Sequence, residues 1–233
     1  MKKYNYISLV HQFYKELKIA KNKGKSIVPI LPFFPKYIVQ NRFRRDRLEM
    51  ELPWLTISAV SFLEKHIKSG MKVFEYGAGA STFFFAKKGA QIVSIEHSRR
   101  WYEHIKKKIE DASYNNVTLT LEEPVKEYSE NGFYSDKDEE YLAHNYQNYA
   151  EAILKFEDET FDLIVIDGRV RIACLKMSLP KLKNGGYLVF DNGDRKEYQA
   201  ELVGLRKDLI KSDYIPTTFD LMFSQTNIYK ISR

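Results

Sequence analysis

Two runs of the chain, LIVI at Leu163–Ile166 and YLVF at Tyr187–Phe190, are apolar at every position. Strands of that kind must be covered on both faces, as happens when helices pack on either side of a parallel sheet. The segments around them alternate in period. KVFEYG, QIVSIE, VTLTLEE, FDLIVID, YLVFD and TNIYKIS read as strands. STFFFAKKG, SRRWYEHIKKKIEDA, RIACLKMSLPKL and KEYQAELVGLRKDLI read as helices, with Trp101, Ile105 and Ile109 on the inner face of the second. A further helix is expected from about Asn148 to Phe156, and NGG before YLVFD reads as a turn. The alternation specifies an α/β, doubly wound, mostly parallel sheet. Ligands of such sheets bind at the carboxyl ends of the strands, near the point where strand order reverses. Glu75, Glu96, Glu122, Asp167 and Asp191 each end a strand.

The alternation begins only after about residue 50. Residues 1–50 are expected to form an N-terminal helical and irregular extension, and residues 51–233 the sheet domain. LPWLTISAVSFLEKHIKSG opens that domain with a helix that Thr56 can cap and Gly70 can stop. The extension holds the longest apolar stretch, IVPILPFFPKYIV, which Pro29, Pro32 and Pro35 interrupt. It is too short to span a bilayer and is expected to pack against the main domain. No apolar segment follows Lys2 and Lys3 as a secretory leader would require. The single cysteine, Cys174, rules out an intrachain disulfide and fits a reducing compartment, so a cytoplasmic protein is expected.

VFEYGAGAS connects the first strand to its helix. Gly77 and Gly79 allow a sharp turn and a close approach of ligand to backbone. The helix starting near Ser81 points free N–H groups at the same place. Glu96 ends the next strand, about twenty residues on, where a carboxylate can accept hydrogen bonds from two ribose hydroxyls. A ribose-bearing ligand is implied, and NAD and S-adenosylmethionine both qualify. Thr82 stands where a dinucleotide site wants a third glycine. Glu75 would repel a pyrophosphate and suits the ammonium and sulfonium of S-adenosylmethionine.

VFEYGAGAS, VSIEHS followed by WYE, and FDLIVIDGRVR followed by LKNGGYLVFDN resemble the motifs of class I S-adenosylmethionine-dependent methyltransferases, from about Pro53 to Arg233. The resemblance implies a seven-stranded sheet whose last strand, TNIYKIS, inserts antiparallel. It places the methionine part of the cofactor on the Glu75, Gly77, Gly79 and Ser81 loop, the ribose on Glu96, and the adenine near Glu122 and its neighbour Glu123. His97 is read either as packing beside the adenine or as a surface histidine.

Methyl transfer needs an aligned acceptor and, for a hydroxyl or protonated amine, removal of a proton. Asp167 and Asp191 are the candidate catalytic acids. Arg169, Arg171 and Asn192 are candidate acceptor-binding residues. Asp167, Asp191 and Asn192 also resemble the Mg²⁺ ligands of catechol-type O-methyltransferases. Those enzymes carry a lysine base shortly after the first acid, where this chain has Val170 and Arg171, and an arginine cannot act as a base. Mg²⁺ is therefore permitted but not favoured. Arg169 and Arg171 either clamp an anionic group of the acceptor or pair with Asp167 and Asp191. His144, Tyr146 and Tyr149, in the polar stretch from Tyr128 onward, and Trp54 are candidates for closing the acceptor pocket.

These residues point to a methyltransferase acting on oxygen or nitrogen of a small molecule or glycan precursor. A nucleic-acid acceptor, RNA in particular, is the first alternative, suggested by the net charge of +6 and by Arg42, Arg44, Arg45 and Arg47. Against it, DGRV stands where amino-methylating enzymes of this fold carry Asn/Asp-Pro-Pro-aromatic. A fold that binds S-adenosylmethionine without catalysis is the second alternative.

Overall fold

The computed structural model describes residues 4–43, 46–127, 132–134 and 144–233. The chain opens with α1 (Tyr6–Asn22), whose first turn is capped by the Asn5 side chain accepting from the Ser8 amide at 2.7 Å. A 3₁₀ turn, Leu31–Phe33, leads into α2 (Phe34–Arg42). Pro32 and Pro35 each sit in a first turn, where a missing N–H breaks no helical hydrogen bond. Short α3 (Arg47–Met50) and α4 (Ile57–His66) follow. Then come β1 (Lys72–Tyr76), α5 (Ala80–Lys87), β2 (Gln91–Glu96), α6 (Arg99–Asp111) and β3 (Val117–Leu121). Next are α7 (Gln147–Glu151), β4 (Phe161–Ile166), α8 (Arg171–Ser178), β5 (Leu182–Phe190), α9 (Gln199–Leu202), β6 (Leu209–Pro216) and β7 (Phe223–Lys230).

Among the described residues one seven-stranded sheet runs in the order β3-β2-β1-β4-β5-β7-β6. Strands β1 to β5 pair in parallel, and β7 inserts antiparallel between β5 and β6. Strand order reverses between β1 and β4, so the carboxyl ends of those two strands flank the crevice where ligands bind. The period of two puts Phe74, Tyr76, Ile164, Ile166, Leu188 and Phe190 on one face, under α7 and α8. Val73, Leu163, Val165, Val189 and Ile228 lie on the other, under α4 and α5. Glu75 shares the second face with Val73 and is fully buried there.

The N-terminal helices pack on the β6–β7 edge. Leu9, Phe13, Tyr37 and Ile38 join Ile57, Tyr214, Ile215 and Phe223 in one apolar cluster. Phe13 meets Phe34, Tyr37 and Phe223 edge-on, with centroids 4.9, 5.1 and 5.2 Å away.

Three elements differ from expectation. The helix expected over Lys196–Ile210 is a four-residue α-turn between two 3₁₀ turns and gives way to β6. Only the last three residues of β6 are buried, so its alternation is weak in sequence. NGG lies within β5, with Gly185 at φ +77°. Trp101 is 39% exposed rather than inward, and Ile105 alone in α6 is fully buried.

Candidate active site

The loop after β1 is built around Glu75. Its Oε2 accepts the Thr82 hydroxyl at 2.6 Å and the Ser94 hydroxyl at 2.7 Å. The Thr82 oxygen in turn accepts the Gly79 amide at 3.0 Å. Threonine at this place thus ties α5, the loop and the β1 carboxylate together. Burial pushes the Glu75 pKa to about 7 against the pull of the Ser81, Thr82 and Ser94 hydroxyls. Ser81 is near enough to lower the pKa, yet Oε1 makes no hydrogen bond. Gly77 holds φ +95°, and a Cβ there would come within 3.1 Å of the Gly168 backbone. The space that a Cβ on Gly79 would enter is open. From the next helix, the Trp101 indole N–H donates to the Ala78 carbonyl at 2.7 Å and clamps the loop.

Glu96 ends β2, nearly buried. Its Oε1 accepts the amides of His97 at 2.9 Å and Ser98 at 2.8 Å. His97 is buried, with Nδ1 3.0 Å from the same oxygen and its ring 5.6 Å from that of Tyr146. The Glu122 amide donates to the Glu96 carbonyl at 2.8 Å, so β3 hands its half-buried acid to the same edge. Glu123 is engaged by Arg99.

Asp167 follows β4 and Asp191 follows β5, with Arg171 between them. The guanidinium uses both faces of its fork. Nη2 donates to Asp167 Oδ1 at 2.8 Å and the Asp167 carbonyl at 3.0 Å. Nη1 donates to the Asp191 carbonyl at 2.5 Å and reaches Oδ2 at 3.4 Å, while Nε donates to the Gly168 carbonyl at 3.0 Å. Of the two readings of Arg171, the ion pair is the one formed. Burial opposes its charge, and the two carboxylates more than offset that and raise its pKa. Burial, then the Asp191 carboxylate, push Asp167 well above the usual range, with Arg171 opposing both. The Asp167 side chain keeps 29% of its surface accessible. Asp191 Oδ1 accepts the Thr226 hydroxyl at 2.8 Å. Asn192, at φ +54°, donates to the Ser224 hydroxyl at 2.9 Å and accepts from Arg195.

These strand ends form the floor of a cavity of about 650 Å³. Asp167, Arg169, Arg171, Asp191 and Asn192 all line it. Its walls come from Glu16, Ile19 and Lys23 of α1, Trp54, and Tyr214 and Phe223 of the last two strands. Trp54 is 43% exposed at this wall. Tyr146 and Tyr149 do not line it, because both are fully buried in the core beneath β1 and β4. A Cβ on Gly168 would lie 1.9 Å from the Tyr149 hydroxyl. Arg44, Arg45 and most of the tyrosine-rich stretch, 128–131 and 135–143, lie outside the described residues.

A family model described as a methyltransferase domain matches residues 74–193, from β1 to the turn after β5. The chain belongs to that family. The methyltransferase shares its architecture with a methyltransferase-like protein from Silicibacter pomeroyi DSS-3, 17% identical, with TM-score 0.53 over 78% of this chain and 92% of that one. It also resembles an rRNA methylase from Streptococcus thermophilus, 11% identical, with TM-score 0.50 over 74% of this chain and 93% of that one. No protein with a curated description matches it. Sheet order and motifs together make it a class I methyltransferase, the group that takes its methyl from S-adenosylmethionine.

The residues fit that cofactor. Glu75 Oε1 is a buried acceptor without a partner, and the open space over Gly79 admits a ligand against the backbone. They do not fit Mg²⁺. The Arg171 guanidinium already bridges Asp167 and Asp191, and the Asn192 oxygen is taken by Arg195. Among the described residues no cluster of three metal-ligating side chains occurs.

Proposed function

We propose that this methyltransferase acts on oxygen or nitrogen of a small, uncharged or zwitterionic acceptor, a small molecule or glycan precursor, held in the cavity over Asp167. The observation that supports this most is the lining of the cavity. Glu16, Asp167, Asp191, Asp194 and Asp220 face it alongside Lys23, Arg169, Arg171 and Arg195. Such balanced charge suits a polar acceptor, whereas a polyphosphate backbone would meet five carboxylates. A volume of about 650 Å³ is that of a small-molecule site. Trp54 offers a flat apolar wall against which a sugar or aromatic ring can lie.

S-adenosylmethionine, when bound, supplies a methyl group activated by its sulfonium. The chain's own residues hold and prepare both partners. Glu75 Oε1 and the Gly77–Ser81 loop receive the charged methionine end. Glu96 receives the ribose, and with Oε1 committed to the His97 and Ser98 amides, that contact falls to Oε2. Glu122 stands on the adenine side, and buried His97 lies beside Glu96 on that same side. Asp167 is the base. Its carboxylate is accessible from the cavity, and its raised pKa makes it a better proton acceptor than an ordinary aspartate. Arg171 positions it and Asp191. Arg169 and Asn192 flank the acceptor. A free, buried Cys174 suits a reducing compartment, which supports a cytoplasmic site of action.

Two measurements test this reading. A thermal melt should shift with S-adenosylmethionine and S-adenosylhomocysteine and not with NAD, by about 2.7 kcal/mol at a hundredfold excess over Kd. Among acceptors, a panel of hydroxylated and aminated small molecules should give turnover where RNA gives none. Asp167→Asn should lower kcat by about 10²-fold or more with cofactor affinity unchanged. Full turnover of RNA, or full activity of Asp167→Asn, would overturn the acceptor class or the base.

A further inference from the structure

The N-terminal helices bury one face and expose a second apolar one. Eight of the sixteen large hydrophobic side chains exposed among the described residues fall between Tyr6 and Phe43. Ile7 is 79% exposed, Val28 70% and Val39 58%. On α1, positions 6, 7, 10 and 14 fall within about 100° of arc, beside the arc of the buried Leu9, Phe13 and Ala20 and centred about 90° from it. The same segment is strongly basic. Residues 1–43 contain nine Lys and Arg against Glu16 alone, a net +8, while the whole chain is +6 and the remainder therefore −2. Lys15, Lys18, Lys21, Lys36 and Arg42 are exposed on α1 and α2, with the Lys18 ammonium 4.7 Å over the Tyr14 ring.

We propose that this face docks on an anionic lipid surface. Basic groups interleaved with exposed aliphatic and aromatic side chains are what the headgroup boundary of a bilayer takes up, the cations at the phosphates and the apolar groups below them. A second copy of the chain is disfavoured because it would bring +8 against +8. RNA would engage the cations but gains nothing from Ile7, Val10, Val28, Leu31 and Val39, since its binding surfaces use basic and stacking groups. The charge asymmetry also orients the molecule, drawing in the N-terminal end and not the remainder. No helix among the described residues is long and apolar enough to cross a membrane, so the attachment is peripheral. Helix α1 also walls the cavity through Glu16, Ile19 and Lys23. Docking therefore holds the cavity at the lipid surface.

Flotation of the full chain with phosphatidylcholine vesicles, with and without phosphatidylglycerol, tests the proposal. Binding is expected only with phosphatidylglycerol and should weaken with salt. The pair Ile7→Ser, Val39→Ser and the pair Lys18→Glu, Lys21→Glu should each reduce the bound fraction by about tenfold or more. Both pairs should stay folded with a single thermal transition, since all four side chains are exposed; the lysine pair loses only the small C-terminal charge contribution of α1. Absence of binding to phosphatidylglycerol vesicles would overturn the proposal, as would binding indifferent to the serine pair. Tighter binding to single-stranded RNA, lost with the lysine pair alone, would reassign the face to nucleic acid. A dimer in solution that the serine pair dissolves would reassign it to a second copy.

Discussion

At the scale of single residues, Glu75 is held far from its ordinary chemistry. In the folded chain burial raises its pKa to about 7, against 4.5 for the free side chain. The unfolded chain therefore releases this proton first as pH rises. Between about pH 4.5 and 7 the native state binds more protons than the unfolded state, so stability falls through that window. The charged form costs on the order of 3 kcal/mol at pH 8. Glu75→Gln removes that cost, and its amide oxygen can still accept from Thr82 and Ser94. Denaturant midpoints of Glu75→Gln should lose less stability than the parent between pH 5 and pH 8, while S-adenosylhomocysteine binding weakens by at least about tenfold. A parent whose stability is flat across that window would show that Glu75 is not held in this state. A destabilising charge of this kind is what the proposed contact with the cofactor's amine would offset, the usual relation between stability and a binding site.

At the scale of elements, the strand ends are fastened to one another by Arg171, whose pairing with the two acids was one of its two sequence readings, and by Thr82, whose tie to Glu75 the sequence did not show. Arg171 joins β4 to β5 by five donated hydrogen bonds or close contacts, and Thr82 joins α5 to β1. Arg171→Met should destabilise by about 3–5 kcal/mol, because it leaves the carboxylates of Asp167 and Asp191 close together without a cation. Arg171→Lys should recover part of this, since an ammonium keeps the charge and loses the fork. Equal stability of the two variants by chemical unfolding would mean that geometry matters and charge does not. The parallel strands were legible because burial on both faces leaves runs such as Leu163–Ile166 with no polar residue. The turn from β1 into α5 was legible for a similar reason, since two glycines, an acid and a helix start stand in nine consecutive residues. β6 was not, because its first half is exposed and carries Lys211, Ser212 and Asp213 in no clean alternation. Tyr149 was misplaced because a polar tyrosine-rich stretch suggests a surface loop, while its packing under Gly168 depends on a contact between distant segments. Trp101 at a helical inner position signals core burial, and nothing in the local pattern shows that its N–H reaches back to Ala78.

At the scale of the whole molecule, the acceptor cavity is assembled from parts of the chain that lie far apart. The matched methyltransferase segment supplies the floor, and α1, Trp54 and the β6–β7 hairpin supply the walls. Glu16 fixes α1 there, its Oε2 accepting the Phe223 amide at 3.0 Å in a buried setting. Lys23 reaches Asp194 at 2.7 Å across the same cavity. If the cavity holds the acceptor as proposed, its selectivity belongs to the N-terminal helices as much as to the strand ends. Phe13 is the keystone of that packing, buried among three aromatic rings. Phe13→Ala should cost about 3–5 kcal/mol, the usual range for removing a buried aromatic ring. The loss should appear as one shifted transition in denaturant unfolding, followed by both tyrosine fluorescence and far-UV circular dichroism. The melting shift given by S-adenosylhomocysteine should survive, because Ala78 and Ala80 of the proposed cofactor loop pack in a different apolar cluster. If the N-terminal helices instead folded as an independent appendage, Phe13→Ala would release a small early transition and leave the main one in place. That result would return the acceptor cavity to the strand ends alone.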